Sequence, residues 1–282
     1  MECRVVARFL FLATNFHFSI SVIIQKTPAE IQKMRRAGLI VWEAHQQARE
    51  YMRPGVTTEE IDRVVDNYFS DAGASALFKG VPGPVPYPAA TCISLNDEVV
   101  HAIPNQRCLK EGDIVSIDTG CKIDGWCGDA AVTWPVGKIS AQAKKLLDVT
   151  RDTLHLAIEL MGTKKRWSEV AEVMQKHVEK HHLAVVEDLV GHGIGRSMHE
   201  APSVPNHLDR LFFKKQDFKL EPGLVIAVEP MVNIGTKAFY TLDDGWTIAT
   251  IDGKLSAHFE HTIAITENGP EVLTGGPNGE SW

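Results

Sequence analysis

The sequence predicts an α+β fold made of two copies of one unit, and three observations carry that prediction. Helix-start signals occur in pairs ahead of runs of strand-like segments. The order helix, helix, strands occurs twice, and matching landmarks keep a nearly constant separation: Thr27 to Ser140 is 113 positions, Thr57 to Ser168 is 111, and Gly112 to Gly223 is 111. The strand-like segments alternate bulky apolar residues with small residues and single acids, as expected of a sheet with one face under helices.

In the first copy, Thr27-Pro28-Ala29-Glu30 reads as a capping box with proline at the first helical position, and predicts a helix over 28–52 that stops at Pro54-Gly55. Thr57-Thr58-Glu59-Glu60 opens a second helix, to about 71, ended by Gly73. A proline- and glycine-rich loop covers 81–88, and strands follow over 91–95, 114–119 and 126–135. In the second copy, Ser140 caps a helix to about 161 and Ser168 caps another to about 182. Strands follow over 184–190, 224–232, 246–251 and 258–266. The repeats span about 27–139 and 140–274, and residues 22–282 are expected to form one catalytic domain. Residues 1–21, where Arg4 and Arg8 precede an apolar run, read as an extension, either disordered or a misassigned start, with a faint export-signal pattern as the minor alternative.

Bulk properties exclude several classes. The 282 residues include 44% hydrophobic and 23% charged, typical of a globular protein, and the net charge of −7 disfavours nucleic acid as the main partner. Five cysteines without a CxxC pair argue against a disulfide framework and fit a reducing cytoplasm. No segment is long and apolar enough to predict a membrane span, and nothing in the sequence argues for more than a monomer.

The acids carry the chemistry. Asp118, Asp129, Glu229 and Glu260 each sit on the small-residue face of a strand, and Asp118 and Glu229 each follow a glycine by six positions, in Gly112 to Asp118 and Gly223 to Glu229. If 122–125 is a four-residue loop, Asp118 and Asp129 face each other directly across a hairpin, which is destabilising without a cation or a shared proton. Any one of these acids alone reads as a solvated strand residue. Four placed by the same repeat predict one cavity holding a pair of divalent cations. His192 lies in a glycine-flanked run (191–195), with His199 seven residues on and His101 ahead of Pro104; singly, each reads as a structural histidine.

At these residues the chain resembles the methionine aminopeptidases of the shorter, bacterial type, M24 metallopeptidases with the pita-bread fold. The matching stretches include CISLNDEVVHAIP (92–104), GDIVSIDTGCKIDGWCGDAAVT (112–133), GHGIGRSMHEAP (191–202), EPGLVIAVEPMV (221–232) and SAHFEHTIAIT (256–266). The resemblance implies five metal ligands, Asp118, Asp129, His192, Glu229 and Glu260, around two divalent ions (Co, Mn, Fe or Zn), with Asp129 and Glu260 bridging. It implies that Glu229 shuttles a proton, that His199 stabilises the developing oxyanion, and that His101 contacts the substrate near the scissile amide. It also implies a methionine pocket of Tyr87, Cys92, Met198 and Trp246, with Met198 where the family usually has phenylalanine and Ala102 where it has glycine. The implied activity is removal of the initiator methionine from nascent proteins ahead of a small second residue, with transient contact with the ribosome. The alternatives are an x-Pro peptidase of the same fold, disfavoured because only about 21 residues precede the pattern, and a non-catalytic binding protein.

Overall fold

Two capping boxes set the first two helices. In a computed structural model describing residues 22–282, the Thr27 and Thr57 hydroxyls accept the amide hydrogens of Glu30 and Glu60, whose carboxylates accept the cap amides in return. Each box contributes about 1 kcal/mol to its helix. The helices are α1 (Pro28–Arg49) and α2 (Thr58–Asp71). Next come β1 (Ser75–Ala76), β2 (Thr91–Leu95), β3 (Glu98–Val100) and a long hairpin, β4 (Ile114–Ile123) and β5 (Trp126–Pro135). Then α3 (Ala141–Met161) and α4 (Trp167–Lys180) lead into β6 (Ala184–Val185), β7 (Gly191–Gly193), β8 (Glu200–Val204), the short α5 (Arg210–Gln216), β9 (Val225–Val228), β10 (Met231–Asn233), β11 (Phe239–Thr241), β12 (Ile248–Thr250), β13 (Ser256–His258), β14 (His261–Thr266) and β15 (Gly269–Val272). The segment 1–21, read above as an extension, lies outside the described residues.

Strand alternation sorts the side chains as the sequence pattern requires. Val115 and Ile117 of β4 pack against Val41 and Ala44 of α1 and Val65 of α2. In the second half, Ile226, Val228, Ile263 and Ile265 pack against Leu146 and Leu154 of α3 and Trp167 and Met174 of α4. Trp167 is wholly buried, and its indole N–H donates to the Pro205 carbonyl at 2.8 Å. The strands form antiparallel sheets: β2 and β5 flank β4, with β1 paired to β4 beyond β2, and β15-β14-β9-β7-β8 make a second sheet. The two halves meet along β5 and residues 258–262. There the Glu260 amide donates to the Ala131 carbonyl at 2.8 Å, and the Thr262 hydroxyl donates to the Asp129 carbonyl at 2.8 Å.

Four expectations need correction. The β4–β5 turn has two residues, not four: Asp124 and Gly125 both take positive φ, 51° and 80°, as a type I′ hairpin requires. Asp118 therefore opposes Ala131, and Asp129 opposes Gly120, so the two acids are diagonal neighbours on one face. The expected strand 224–232 divides into β9 and β10 around Glu229 and Pro230, since proline brings no amide hydrogen to a ladder. The strand 258–266 likewise divides between β13 and β14 at Phe259 and Glu260. Finally, α4 starts at Trp167, because Glu169 accepts the amides of Lys165 and Arg166, while the Ser168 hydroxyl donates to Asp217. Among the described residues, no helix is long and apolar enough to cross a membrane.

Candidate metal centre and substrate pocket

The hairpin and the strand breaks bring the acids together. Ligand atoms of Asp129, His192 and Glu260 all lie within 4.8 Å of one another. Nε2 of His192 is 3.7 Å from Oε1 of Glu229. Asp118 belongs to the same group by its charge: Asp129 and Glu229 both act on it, and it acts on Glu260. All five residues singled out for metal in the sequence are thus neighbours, drawn from both halves.

Backbone detail makes room for them. Gly120 faces Asp129 across the ladder, and a Cβ there would lie 2.7 Å from the Asp129 Oδ1. His192 sits on β7 between β8 and β9, opposite Ser203 and Ala227. Its Nδ1 is 3.0 Å from the Gly193 carbonyl, which can only accept, so Nδ1 carries the hydrogen and Nε2 keeps a free lone pair.

The electrostatics show what such a cluster requires. Burial, then the carboxylates of Asp129 and Glu229, hold Asp118 far above the ordinary range. Burial and the same neighbours, with Asp118, do so for Glu260, and burial and Asp129 for Glu229. Burial pushes Asp129 up to about 7, against one amide hydrogen bond from Ala130. Burial, then His199, draws His192 down to about 3, leaving it a neutral donor of its lone pair. Asp118 Oδ1, Asp129 Oδ1 and Glu260 Oε1 are buried without a hydrogen-bond partner. Among the described residues, no lysine or arginine pairs with these acids. An uncompensated buried ion costs several kcal/mol, so four acids cannot all stay ionised here unaided. A donor set of carboxylates and one neutral imidazole suits divalent cations, and the residues present fit them.

Histidines line the rim. The His199 ring lies edge-on to His192, centroids 4.4 Å apart. His101 takes a positive φ of 62° just after β3; burial and His199 draw it down to about 4. His258 was not singled out in the sequence. Its Nε2 lies 3.7 Å from Oε2 of Glu229, both ring nitrogens lack partners, and it is buried. The signal was available: two residues before Glu260, it falls on the same face of the strand expected over 258–266.

Beside the acids lies an apolar cluster. Tyr87 and Cys92 pack with Phe78 and Ala89, and Met198, Trp246 and Ile103 close over them. The Tyr87 and Trp246 rings meet edge to face, centroids 5.1 Å apart. The Trp246 indole donates to the Val85 carbonyl at 2.8 Å, and Gly83 leaves the ring its space, since a Cβ there would reach Cζ2 at 2.3 Å. Cys92 sits opposite Asp118 on neighbouring strands, so the apolar cluster adjoins the acids. Burial and the Asp118 charge push its thiol well up, keeping it neutral.

Comparison with known proteins identifies the family. The model of "Metallopeptidase family M24" matches residues 32–267. "Methionine aminopeptidase 1" of Bacillus subtilis is 44% identical over 253 residues, 90% of this chain and 99% of the relative. A crystal structure of methionine aminopeptidase from Thermotoga maritima superposes with a TM-score of 0.84 at 42% identity, covering 90% of this chain and 99% of that one. The prolidase from Pyrococcus horikoshii, 22% identical with a TM-score of 0.71, covers 90% of this chain and 64% of its own, and shares the fold alone. The family model spans most of the sequence and the relatives match nearly all of it, so the chain belongs to metallopeptidase family M24, with the methionine aminopeptidases.

Proposed function

We propose that residues 22–282 form one catalytic domain that hydrolyses the peptide bond after an N-terminal methionine, using two divalent cations. The observation that carries this reading is the convergence of four buried acids and the free Nε2 of His192, from both halves of the molecule, with no protein counter-charge. When bound, divalent cations supply Lewis acidity and lower the pKa of nearby water. Asp129, His192 and Glu260, whose ligand atoms lie within 4.8 Å of one another, would hold the ions together with Asp118 and Glu229.

The chain's own residues do the rest. Glu229 takes a proton from the attacking water and passes it to the leaving amine. His199 and His101, at the rim, donate N–H hydrogen bonds to the substrate, His199 toward the carbonyl oxygen as charge develops. The neutral thiol of Cys92 and the rings of Tyr87 and Trp246 receive a thioether, for which sulfur–aromatic contact is favourable. Bringing the free amine of a chain end to this cluster restricts cleavage to the first residue. Substrates are the N-termini of peptides and proteins, with a small second residue preferred.

A peptide assay across Mn, Fe, Co and Zn tests this. Met-Ala peptides should be cut only with metal, and Met-Arg peptides at least about 10-fold more slowly, the effect of roughly 1.4 kcal/mol. Full activity under chelation, or equal cutting of x-Pro bonds, would overturn the reading.

A further inference from the structure

The chain's last two residues close onto the segment that carries Glu260. Glu260 lies between β13 and β14, outside either strand. Its amide is tied to Ala131 of β5. Its carbonyl instead accepts the indole N–H of Trp282 at 3.2 Å. That indole stacks on Trp42 of α1, centroids 4.5 Å apart and planes 13° apart, and on His261, at 4.7 Å and 16°.

The neighbouring hydrogen bonds lock the same segment. Thr274 Oγ1 accepts the Thr262 amide at 3.0 Å and lies 2.9 Å from His261 Nδ1. His261 Nε2 lies 2.8 Å from Ser281 Oγ, which in turn is 3.2 Å from His155 Nε2. One consistent direction runs through this chain: Thr274 donates to Nδ1, Nε2–H donates to Ser281, and Ser281 donates to His155. At its other end, Thr262 both donates to the Asp129 carbonyl, at 2.8 Å, and accepts the Asp129 amide, at 3.1 Å. The network therefore holds the main chain of Asp129 and Glu260 alike.

Trp282 forms one wall of a cavity of about 700 Å³ that Trp42, Trp134 and Phe259 also line. The ring borders open space on one side and is held by the stack, by its one N–H bond and by packing against both hydrophobic clusters.

We propose that Trp282, with Ser281, is a positioning residue for the metal centre: it fixes the Glu260 main chain, and so the aim of its carboxylate. This rests on the metal-dependent reading given above. Trp282→Phe keeps an aromatic ring to stack but removes the N–H; Trp282→Ala removes both. The test is Co(II) affinity of metal-free protein by chelator competition, the visible Co(II) spectrum, and kcat and KM on a Met-Ala peptide. Trp282→Phe should weaken Co(II) binding about 10-fold, the usual cost of losing a group that orients a ligand. It should shift the Co(II) bands and lower kcat, with KM within about twofold. A lowered melting temperature with Co(II) affinity and spectrum matching the parent in both variants would overturn the proposal. If the parent itself takes up no Co(II), the functional reading fails and the proposal fails with it. If the parent binds Co(II) and the variants bind it equally, only the positioning role fails.

Discussion

Two pairs of acids meet at the centre, and the molecule holds them in opposite ways. Asp118 and Asp129 stand inside unbroken strands of the β4–β5 hairpin, in a register that pairs every residue from Ile114 to Ile123. Glu229 and Glu260 stand in gaps between strands, β9 to β10 and β13 to β14. A ladder sets main-chain position by repetition, each rung supporting the next. A gap has fewer main-chain bonds, and side chains add to them: the amide of Asn206 donates to the Glu229 carbonyl at 3.1 Å, and the indole N–H of Trp282 to that of Glu260. The gap also releases the side chain from strict alternation, so a long glutamate can turn toward aspartates on a neighbouring sheet. Short acids in ladders and long acids in gaps are two solutions to one demand, that charge be brought close and held still.

The sharpest test is whether the two pairs differ only in how they are held. Asp129→Asn and Glu260→Gln should each lower kcat/KM on a Met-Ala peptide by about 1,000-fold or more, the scale of several kcal/mol lost from metal-assisted stabilisation. Circular dichroism should show the fold intact in both. If only one pair mattered this much, the equivalence would be broken. A smaller effect probes the supports. Asn206→Ala should weaken Co(II) binding about 10-fold. Ser116→Ala, which removes a 2.8 Å hydroxyl contact with Thr133 beside Asp118 in the ladder, should change it less than about twofold. Equal losses measured by chelator competition would erase the distinction. Smallest in reach is Trp246→Ala, in the pocket and outside both pairs. Losing its edge-to-face contact should raise KM by up to about 10-fold, from 0.5–1.5 kcal/mol, while calorimetry finds metal affinity unchanged.

The first half was the more legible in sequence. Its capping boxes, its long strands and the side on which each residue falls follow from local rules, because ladders and helices are periodic and periodicity is visible in one dimension. The repeat offset carried the same order into the second half. Legibility failed where the chain departs from period. Apolar alternation runs through 224–232 without a mark except Pro230, so the gap at Glu229 reads as strand. The slip between Asp118 and Asp129 was missed because Asp124-Gly125 was counted inside a longer loop, although an Asp-Gly pair between alternating runs is the usual sign of a two-residue turn. The supports at Asn206 and Trp282 left no signal at all, since each acts on a residue more than twenty positions away through a single hydrogen bond.

That two-residue turn has an arithmetic of its own. In a pleated pair, odd and even positions look in opposite directions. Add one residue after Gly125 and keep the ladder paired from the turn outward, and Asp129 takes the place of Ala130 among the hydrocarbon of α1, while Gly128 comes to stand opposite Gly120 in its stead. Two small residues at the bend thus decide the parity of a whole strand, and with it whether a charge meets its partners or is stranded in oil.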